Sequence, residues 1–492
     1  MSKDQSSYRQ IMKATSLFGG VQIFNIIIAI IRSKFIAIFL GPAGMGIAGL
    51  LTATTTLISG LTNFGLGTSA VRDVSAANAT GNKIRIATII GVFRRLVWIT
   101  GLLGMLLTLV FAPWLSQITF GNKDYTIAFA CISVTLLLSQ LTSERLVILQ
   151  SMRKMQLLAN ANLLGSFLGL LIIIPVYYYF KLAGIVPGLI IASAISFVLA
   201  WFFSRKIEVE EIYISRARTV AEGKRMLYLG FMVSISGIVT LGSSYLLRIF
   251  INYTGGIDQV GLYNAGFALT NTYVGLVFSA MATDYFPRLS AKADDNAFCT
   301  KTINEQAEIA ILLLAPLIIL FLIFIQWAVI LLYSEKFIPI ENMIHWAVLG
   351  MLFRAASWSI SFVFIAKGNA KLFFWNEFTA NVYVLLINIL GYHFYGLTGI
   401  GVAFLVGYIL YLIQVFVISK SNYNFNFSNS FIKIFLTQTL LSVACFIIVK
   451  FCPSPLNYVF GILALAISLL FSYVELNKRI GIASLLAKYK RK

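Results

Sequence analysis

The sequence of 492 residues is poor in charge, since only 11% of it is Asp, Glu, Lys or Arg. A soluble domain of this length needs a far larger polar surface, so the composition excludes a soluble globular protein. Acidic residues are the scarcest charged type: 18 stand against 38 basic ones, for a formal net charge of +20. Because basic residues collect in the cytoplasmic loops of membrane proteins, this surplus indicates membrane topology rather than binding of nucleic acid.

Residues that carry metal or redox chemistry are also rare. The four cysteines form no Cys-x-x-Cys pair, and the two histidines lie far apart, which argues against a zinc site or a redox motif. The sequence contains no phosphate-binding loop of nucleotide hydrolases, no metalloprotease motif and no nucleophile elbow. We therefore expect a protein that is not an enzyme and that needs no metal and no cofactor.

What the sequence has in abundance is hydrophobic length: 59% of residues are hydrophobic and the mean hydropathy is +0.87. Apolar runs of about twenty residues predict transmembrane helices, whereas a β-barrel shows short alternating segments. We predict an all-α polytopic membrane protein with about fourteen helices. The predicted spans are 14–40, 43–70, 86–112, 125–149, 156–180, 183–203, 227–253, 259–284, 308–332, 343–366, 372–395, 397–419, 431–451 and 456–474.

The distribution of Lys and Arg between loops predicts the orientation. With both termini in the cytoplasm, nearly all basic loop residues lie on the inner side, as the positive-inside rule requires. The outer loops then hold only Lys123, Lys181, Lys336 and Lys450. The stretch "GPAG" (41–44) predicts a tight outer turn between the first two helices.

The two halves of the chain resemble each other at a nearly constant spacing along the sequence. The matching landmarks are Arg32 with Arg248, Gly46 with Gly261, Arg72 with Arg288, Trp114 with Trp327 and Gly184 with Gly399. Each copy contains six predicted helices, an even number, so both copies cross the membrane in the same direction. This pattern predicts two parallel lobes related by a pseudo-two-fold axis along the membrane normal.

The repeat defines the predicted domains. They are an N-terminal lobe (1–203, helices 1–6), a charged cytoplasmic linker (204–226), a C-terminal lobe (227–420, helices 7–12), helices 13 and 14 (421–475) and a basic cytoplasmic tail (476–492). A ligand site near the midplane between lobes, exposed alternately to each side, is typical of such transporters. A channel is the alternative architecture, although channels are usually oligomers around one pore.

Charges inside the spans are the candidate site residues, because a charge at the bilayer centre costs about 2.5–3.5 kcal/mol unless protein, water or ligand compensates it. For substrate binding the candidates are Arg32, Arg248, Arg354, Lys34 and Arg145. Lys34 has no counterpart in the second copy, and it also suits an anchoring role at the outer head groups.

Charges near the inner helix ends are candidates for gating or anchoring: Arg72, Asp73, Glu144 and Arg288. Adjacent residues on a helix point apart, which weakens a local Arg72–Asp73 pair, and Arg145 with Glu144 equally suits a structural ion pair or a cavity lining. Acids in or near the spans are few, namely Asp73, Glu144, Asp284 and Glu377. A cavity built from these residues is net positive and favours an anion such as phosphate or pyrophosphate.

Three stretches carry a resemblance to a known family. They are "RSKFIAIFLGPAGMGIAGLL" (32–51), "LQSMRKMQLLANANLLGS" (149–166) and "FPRLS" (286–290). With them the chain resembles, over essentially its whole length, the bacterial O-antigen flippases. These form the polysaccharide-transporter branch of the multidrug/oligosaccharidyl-lipid/polysaccharide exporter superfamily.

The resemblance implies a V-shaped fold with a cationic central cavity and alternating access. The implied substrate is an undecaprenyl-pyrophosphate-linked oligosaccharide, turned from the cytoplasmic to the periplasmic leaflet of the bacterial inner membrane. Arg32 and Arg248 then correspond to cavity arginines on helices one and seven, and the two extra helices to a groove for the polyprenyl tail. Membrane lipids, polysaccharide polymerase machinery and a coupling ion are the further partners implied.

Two other functions stay open at this point. A cation-coupled multidrug exporter of the same superfamily favours an acidic, aromatic-lined cavity, for which few acids are available here. A membrane polysaccharide polymerase or ligase usually has larger periplasmic loops than the short outer loops of this sequence.

Overall fold

The computed structural model describes residues 3–207, 210, 212–290 and 292–480. Side chains are described for these residues except 3–23, 79, 229, 232, 233, 236, 271–277, 279–284, 287 and 480. Within these ranges the chain is helical and contains no strand. The helices are α1 (Lys3–Thr62), α2 (Leu66–Thr80), α3 (Lys83–Val110), α4 (Ala112–Phe120), α5 (Thr126–Ser151), α6 (Met155–Phe180), α7 (Ile185–Ser204), α8 (Arg216–Gly255), α9 (Ile257–Ser290), α10 (Asn296–Leu332), α11 (Glu341–Ala366), α12 (Ala370–Tyr423), α13 (Asn429–Phe451) and α14 (Leu456–Ile480).

The predicted all-helical membrane architecture is confirmed. Nine helical stretches of the described chain are long and apolar enough to cross a bilayer. Several of them contain two of the predicted spans: Met155–Ser204 covers the fifth and sixth, and Ala370–Tyr423 covers the eleventh and twelfth. The number of fourteen crossings therefore stays a prediction.

The second predicted span, 43–70, is interrupted near its C-terminal end. The helix ends at Thr62, and α2 restarts at Leu66. Phe64 and Gly65 between them have φ of 48° and 61°, and the Asn63 side chain accepts a hydrogen bond of 2.8 Å from the Gly65 backbone N–H. An Asn side chain that bonds its own backbone in this way competes with the helix and stabilises a turn.

Backbone breaks recur along the chain at a constant spacing. Gly41, inside α1, has φ 64°, and Gly256, between α8 and α9, has φ 84°. Lys181 and Gly396 have similar backbone angles: φ 49° and ψ −132° at Lys181, and φ 56° and ψ −140° at Gly396. Arg153 and Gly368, with φ 56° and 70°, form a third pair. The two residues of each pair are separated by the same number of residues. The two halves of the chain therefore turn at equivalent points, although their sequences differ.

The helices cluster into two compact units, Met1–Gly261 and Leu262–Lys492. In the first unit, α8 packs along α1, α2 and α3. The two backbones approach closely where α8 passes the break after α1: a Cβ on Gly65 would lie 2.1 Å from the Gly230 carbonyl oxygen. By the sequence repeat α8 opens the second copy, yet its contacts place it with the first unit. The predicted domain boundaries themselves stay predictions.

The first unit has an apolar core between α2, α3 and α5, which includes Ala70, Ile90, Phe93 and Ile148. Ile214 and Met226 complete this core, so the segment that leads into α8 is packed rather than free. The predicted linker 204–226 is therefore helical from Arg216 onward, with the Ser215 hydroxyl capping the Arg218 N–H.

The second unit is built around α10 and α11, whose residues are mostly buried. The two C-terminal helices α13 and α14 pack on α10 and on each other. A buried polar group joins them: Gln438 donates to the Ser472 hydroxyl at 2.9 Å and accepts from Ser468 at 2.7 Å. Helix α14 continues to Ile480, beyond the predicted end at 474, and the predicted tail from 481 onward lies outside the described residues.

Candidate functional site

Arg32 lies on α1 and is half-buried, and Tyr177 of α6 is close enough to interact with it electrostatically. Its Nε is buried and has no hydrogen-bond partner among the described residues. Buried polar atoms in native proteins are nearly always paired, so an orphaned guanidinium nitrogen is a place where a ligand or water acceptor fits. Lys34, two residues further along α1, is half-buried.

Arg248 lies on α8 and is half-buried. Its Nη1 donates to the Ser244 carbonyl oxygen, one turn earlier, at 2.9 Å, and also to the Ser244 hydroxyl. Arg32 and Arg248 therefore belong to the same structural unit, although the sequence repeat assigns them to different copies.

Arg354 lies on α11 of the second unit between two aromatic rings. The guanidinium carbon is 5.3 Å from the ring centroid of Phe278 and 5.6 Å from that of Tyr408. Stacking of this kind holds a guanidinium in place while it leaves N–H groups for an anion.

Glu144 on α5 is 1% exposed and is contacted by two guanidinium groups. Arg94 of α3 donates from Nε to Oε1 at 3.0 Å. Arg145 Nε lies 3.1 Å from Oε2, in an ion pair without hydrogen-bond geometry. The structure thus brings the two predicted residues together and adds Arg94, which the sequence argument missed. The sequence did contain a signal for this partner, since Arg94 is a charged residue inside the predicted span 86–112.

Asp73 on α2 is buried and is contacted by two arginines. Arg72, its neighbour in the sequence, donates from Nε at 3.0 Å and from Nη2 at 2.8 Å. Arg225 of α8 places Nη2 3.7 Å from the same oxygen. The long Arg72 side chain can bend back to the adjacent residue, which is why the geometric objection to this pair fails. Arg288, predicted to be equivalent to Arg72, is exposed in the last turn of α9.

The segment that leads into α8 is fastened to α3 by two further arginines that the sequence argument did not single out. Arg95 donates 2.8 Å hydrogen bonds to the Ile214 carbonyl oxygen and to the Thr219 hydroxyl. Arg85 forms a two-bond ion pair with Glu222. The Arg85 guanidinium holds the pKa of Glu222 below its usual range, chiefly through this hydrogen bond. In the described residues no three His, Cys, Asp or Glu side chains converge as metal ligands would.

Known proteins similar to this chain are transporters and flippases. Residues 11–293 match the family profile described as polysaccharide biosynthesis protein. A candidate O-antigen transporter of Shigella flexneri is 23% identical over 353 residues, which cover 70% of this chain and 82% of that protein. The lipid III flippase of Escherichia coli K12 is 19% identical over 380 residues, which cover 77% of this chain and 90% of that protein.

Solved structures show the same fold. The lipid II flippase MurJ, in an inward closed conformation, has a TM-score of 0.70 at 13% identity and covers 95% of this chain and 99% of its own. An inward-facing multidrug resistance transporter of the MATE family has a TM-score of 0.63 at 16% identity and covers 82% and 94%. The family match extends over more than half of the sequence and agrees with the helical membrane fold. The chain therefore belongs to the polysaccharide biosynthesis protein family, a family of transporters rather than catalysts.

Proposed function

We propose that the protein is a flippase that moves an undecaprenyl-pyrophosphate-linked oligosaccharide, an O-antigen or related repeat unit, from the cytoplasmic to the periplasmic leaflet of the bacterial inner membrane by alternating access. The names of two relatives support the substrate class, since they are a candidate O-antigen transporter and a lipid III flippase. In this proposal both termini are cytoplasmic and the polysaccharide polymerase is a downstream partner.

The observation that carries the proposal is the buried, orphaned Nε of Arg32. A pyrophosphate supplies strong oxygen acceptors that match a guanidinium in charge and geometry. The charge balance of the first unit supports an anionic ligand. Each of the two buried carboxylates described in the first unit, Asp73 and Glu144, is contacted by two arginines, so the unit keeps a surplus of positive charge.

The proposal is tested by deleting the gene and complementing it with variants. Arg32→Ala and Arg248→Ala are expected to lower surface polysaccharide and to leave the lipid-linked oligosaccharide on the cytoplasmic leaflet, because the pyrophosphate loses its cationic partners. Arg216→Ala, at an exposed position at the start of α8, is the matched control and is expected to export normally. All variants are compared at equal protein abundance in the membrane.

Two results would count against the proposal. If the deletion strain exports polysaccharide normally, the protein is not the flippase of that pathway. If it instead becomes sensitive to cationic dyes and drugs in a background without efflux pumps, the multidrug alternative is favoured, which the MATE-like fold allows.

A further inference from the structure

Glu377, on the first part of α12, is a half-buried carboxylate held only by neutral groups. Two donors converge on its Oε1: the Tyr411 hydroxyl, from the second part of α12, and the Asn376 side-chain amide at 3.2 Å. Asn376 in turn accepts from the Gln414 amide at 2.8 Å, which fixes its orientation. The carboxylate therefore sits in an ordered polar cluster that ties the two parts of α12 together.

The fully buried acids with described side chains, in contrast, have cationic partners. Asp73 contacts Arg72 and Arg225, and Glu144 contacts Arg94 and Arg145. No described lysine or arginine lies within ion-pair distance of Glu377, and its Oε2 has no hydrogen-bond partner in the described part of the chain. An ionised carboxylate in an apolar environment without a counter-charge costs several kcal/mol, a cost that a bound proton removes.

We propose that Glu377 is a proton-binding site that is loaded and unloaded during the transport cycle; this rests on the proposed flippase function. The proton is taken from water and forms an O–H bond at Oε2, which turns the carboxylate into a neutral acid. Oε1 continues to accept from Tyr411 and Asn376 in both states, so the cluster survives the change of charge. Release returns the proton to water on the opposite side and restores the carboxylate.

The site is joined to one of the predicted substrate arginines. The ring of Tyr411 lies 6.3 Å, centroid to centroid, from that of Tyr408, and Tyr408 is the ring under the Arg354 guanidinium. The charge state of Glu377 can thus alter the position of Arg354 through two packed rings.

The described titratable and charged groups around Glu377 are Tyr383, Tyr408, Tyr411 and, beyond Tyr408, Arg354. The Tyr383 hydroxyl is buried without a hydrogen-bond partner among described groups and faces the same region.

Infrared difference spectroscopy of the full-length protein in lipid vesicles tests proton binding directly. Titration of the wild type from acid to alkaline pH is expected to convert a protonated carboxyl band, which shifts in D2O, into a carboxylate band. The band is expected to be absent in Glu377→Gln and displaced in Tyr411→Phe. Glu305→Gln, at a side chain 47% exposed on α10, is the control and retains it.

Identical wild-type and Glu377→Gln spectra would overturn the proposal. The same titration with sodium chloride replaced by choline chloride separates a proton site from a sodium site. A Glu377 that stays ionised throughout whenever sodium is present would also overturn it.

Transport in cells provides the second test. Glu377→Gln, fixed in the neutral state, is expected to lower polysaccharide export by about tenfold or more, which lies within the typical range of coupling between two sites. Glu377→Asp is expected to retain export with a displaced dependence on external pH, which a purely structural role does not produce.

If deletion of the gene stops export but Glu377→Gln supports it at every pH, the proton site is wrong and the flippase function stands. If deletion has no effect on export, the flippase function fails, and the spectra still decide whether Glu377 binds a proton.

Discussion

Glu144 in the first unit and Glu377 in the second are both carboxylates inside apolar helices, but their surroundings differ. Glu144 is 1% exposed and contacts Arg94 and Arg145, so its negative charge is needed to balance the two guanidinium groups. Glu377 is half-buried and is surrounded by a phenol and amides. The first arrangement favours a fixed charge, whereas the second is suited to a charge that comes and goes. The comparison shows that the hydrogen-bond and ion-pair donors around a buried acid, rather than its depth, decide whether its charge is fixed or can change.

The largest effect is expected from neutralising Glu144. Glu144→Gln leaves two guanidinium groups without a counter-charge and should reduce the free energy of unfolding by about 3 kcal/mol, the lower end of the range for breaking a buried pair, since Arg94 is partly exposed. Glu377→Gln should cost less than about 1 kcal/mol, because the amide oxygen still accepts from Tyr411. Unfolding of the purified variants, followed by tryptophan fluorescence, measures both. Equal losses in the two variants would abolish the distinction.

A smaller effect is expected from removing the strongest donor to Glu377. Tyr411→Phe deletes the hydroxyl and leaves Oε1 with the Asn376 amide only, a loss of about 1–2 kcal/mol. Tyr383→Phe is the matched control on the same helix, because its hydroxyl has no hydrogen-bond partner among described residues, and it should change stability little. A larger loss in Tyr383→Phe than in Tyr411→Phe would contradict the described hydrogen-bond network.

The smallest effect concerns Glu222, an acid outside the candidate spans, which shows how an ion pair behaves in water. Arg85 lowers the pKa of Glu222 in the folded protein. The pair therefore contributes fully above the ordinary glutamate pKa of about 4.3 and is lost as the pH falls through the lower folded-state value. Because both side chains are partly exposed, Arg85→Ala should cost only about 0.5 kcal/mol at neutral pH.

A double-mutant cycle of Arg85→Ala with Glu222→Gln isolates this interaction. The coupling energy is expected at neutral pH and should vanish in acid, and Lys224→Ala on the same turn of α8 should show no coupling to Arg85. A coupling energy that grows as the pH falls would contradict a lowered pKa of Glu222 in the folded protein.

Much of the helical pattern could be predicted from the sequence. Apolar runs predicted helices along the whole chain, and "GPAG" predicted a turn at Gly41, where the backbone has φ 64°. The spacing of the sequence repeat matches the spacing of the paired backbone breaks. One of those breaks lies at Lys181, in the loop predicted between the spans 156–180 and 183–203. The loop was predictable, but its left-handed backbone was not, because lysine does not mark that conformation.

Partners distant in the sequence could not be predicted. Arg94 meets Glu144 across 50 residues, and Tyr411 meets Glu377 across 34. The sequence showed that these acids lie in apolar stretches, but helix rotation and packing decide which side chains face them. The close approach of Gly230 to Gly65, which places α8 with the first unit, likewise depends on tertiary packing.

The sequence by itself determined that this chain is a helical membrane protein, how its two halves repeat and which few charges lie in its spans, because the cost of polar groups in hydrocarbon forces these features into the order of residues. For the residues that the structure describes, only the tertiary structure decided which of those charges are neutralised in pairs, which guanidinium nitrogens have no hydrogen bond and which acid has only neutral donors. Those properties depend on distances of a few ångströms between different helices, and no periodicity along one helix encodes them.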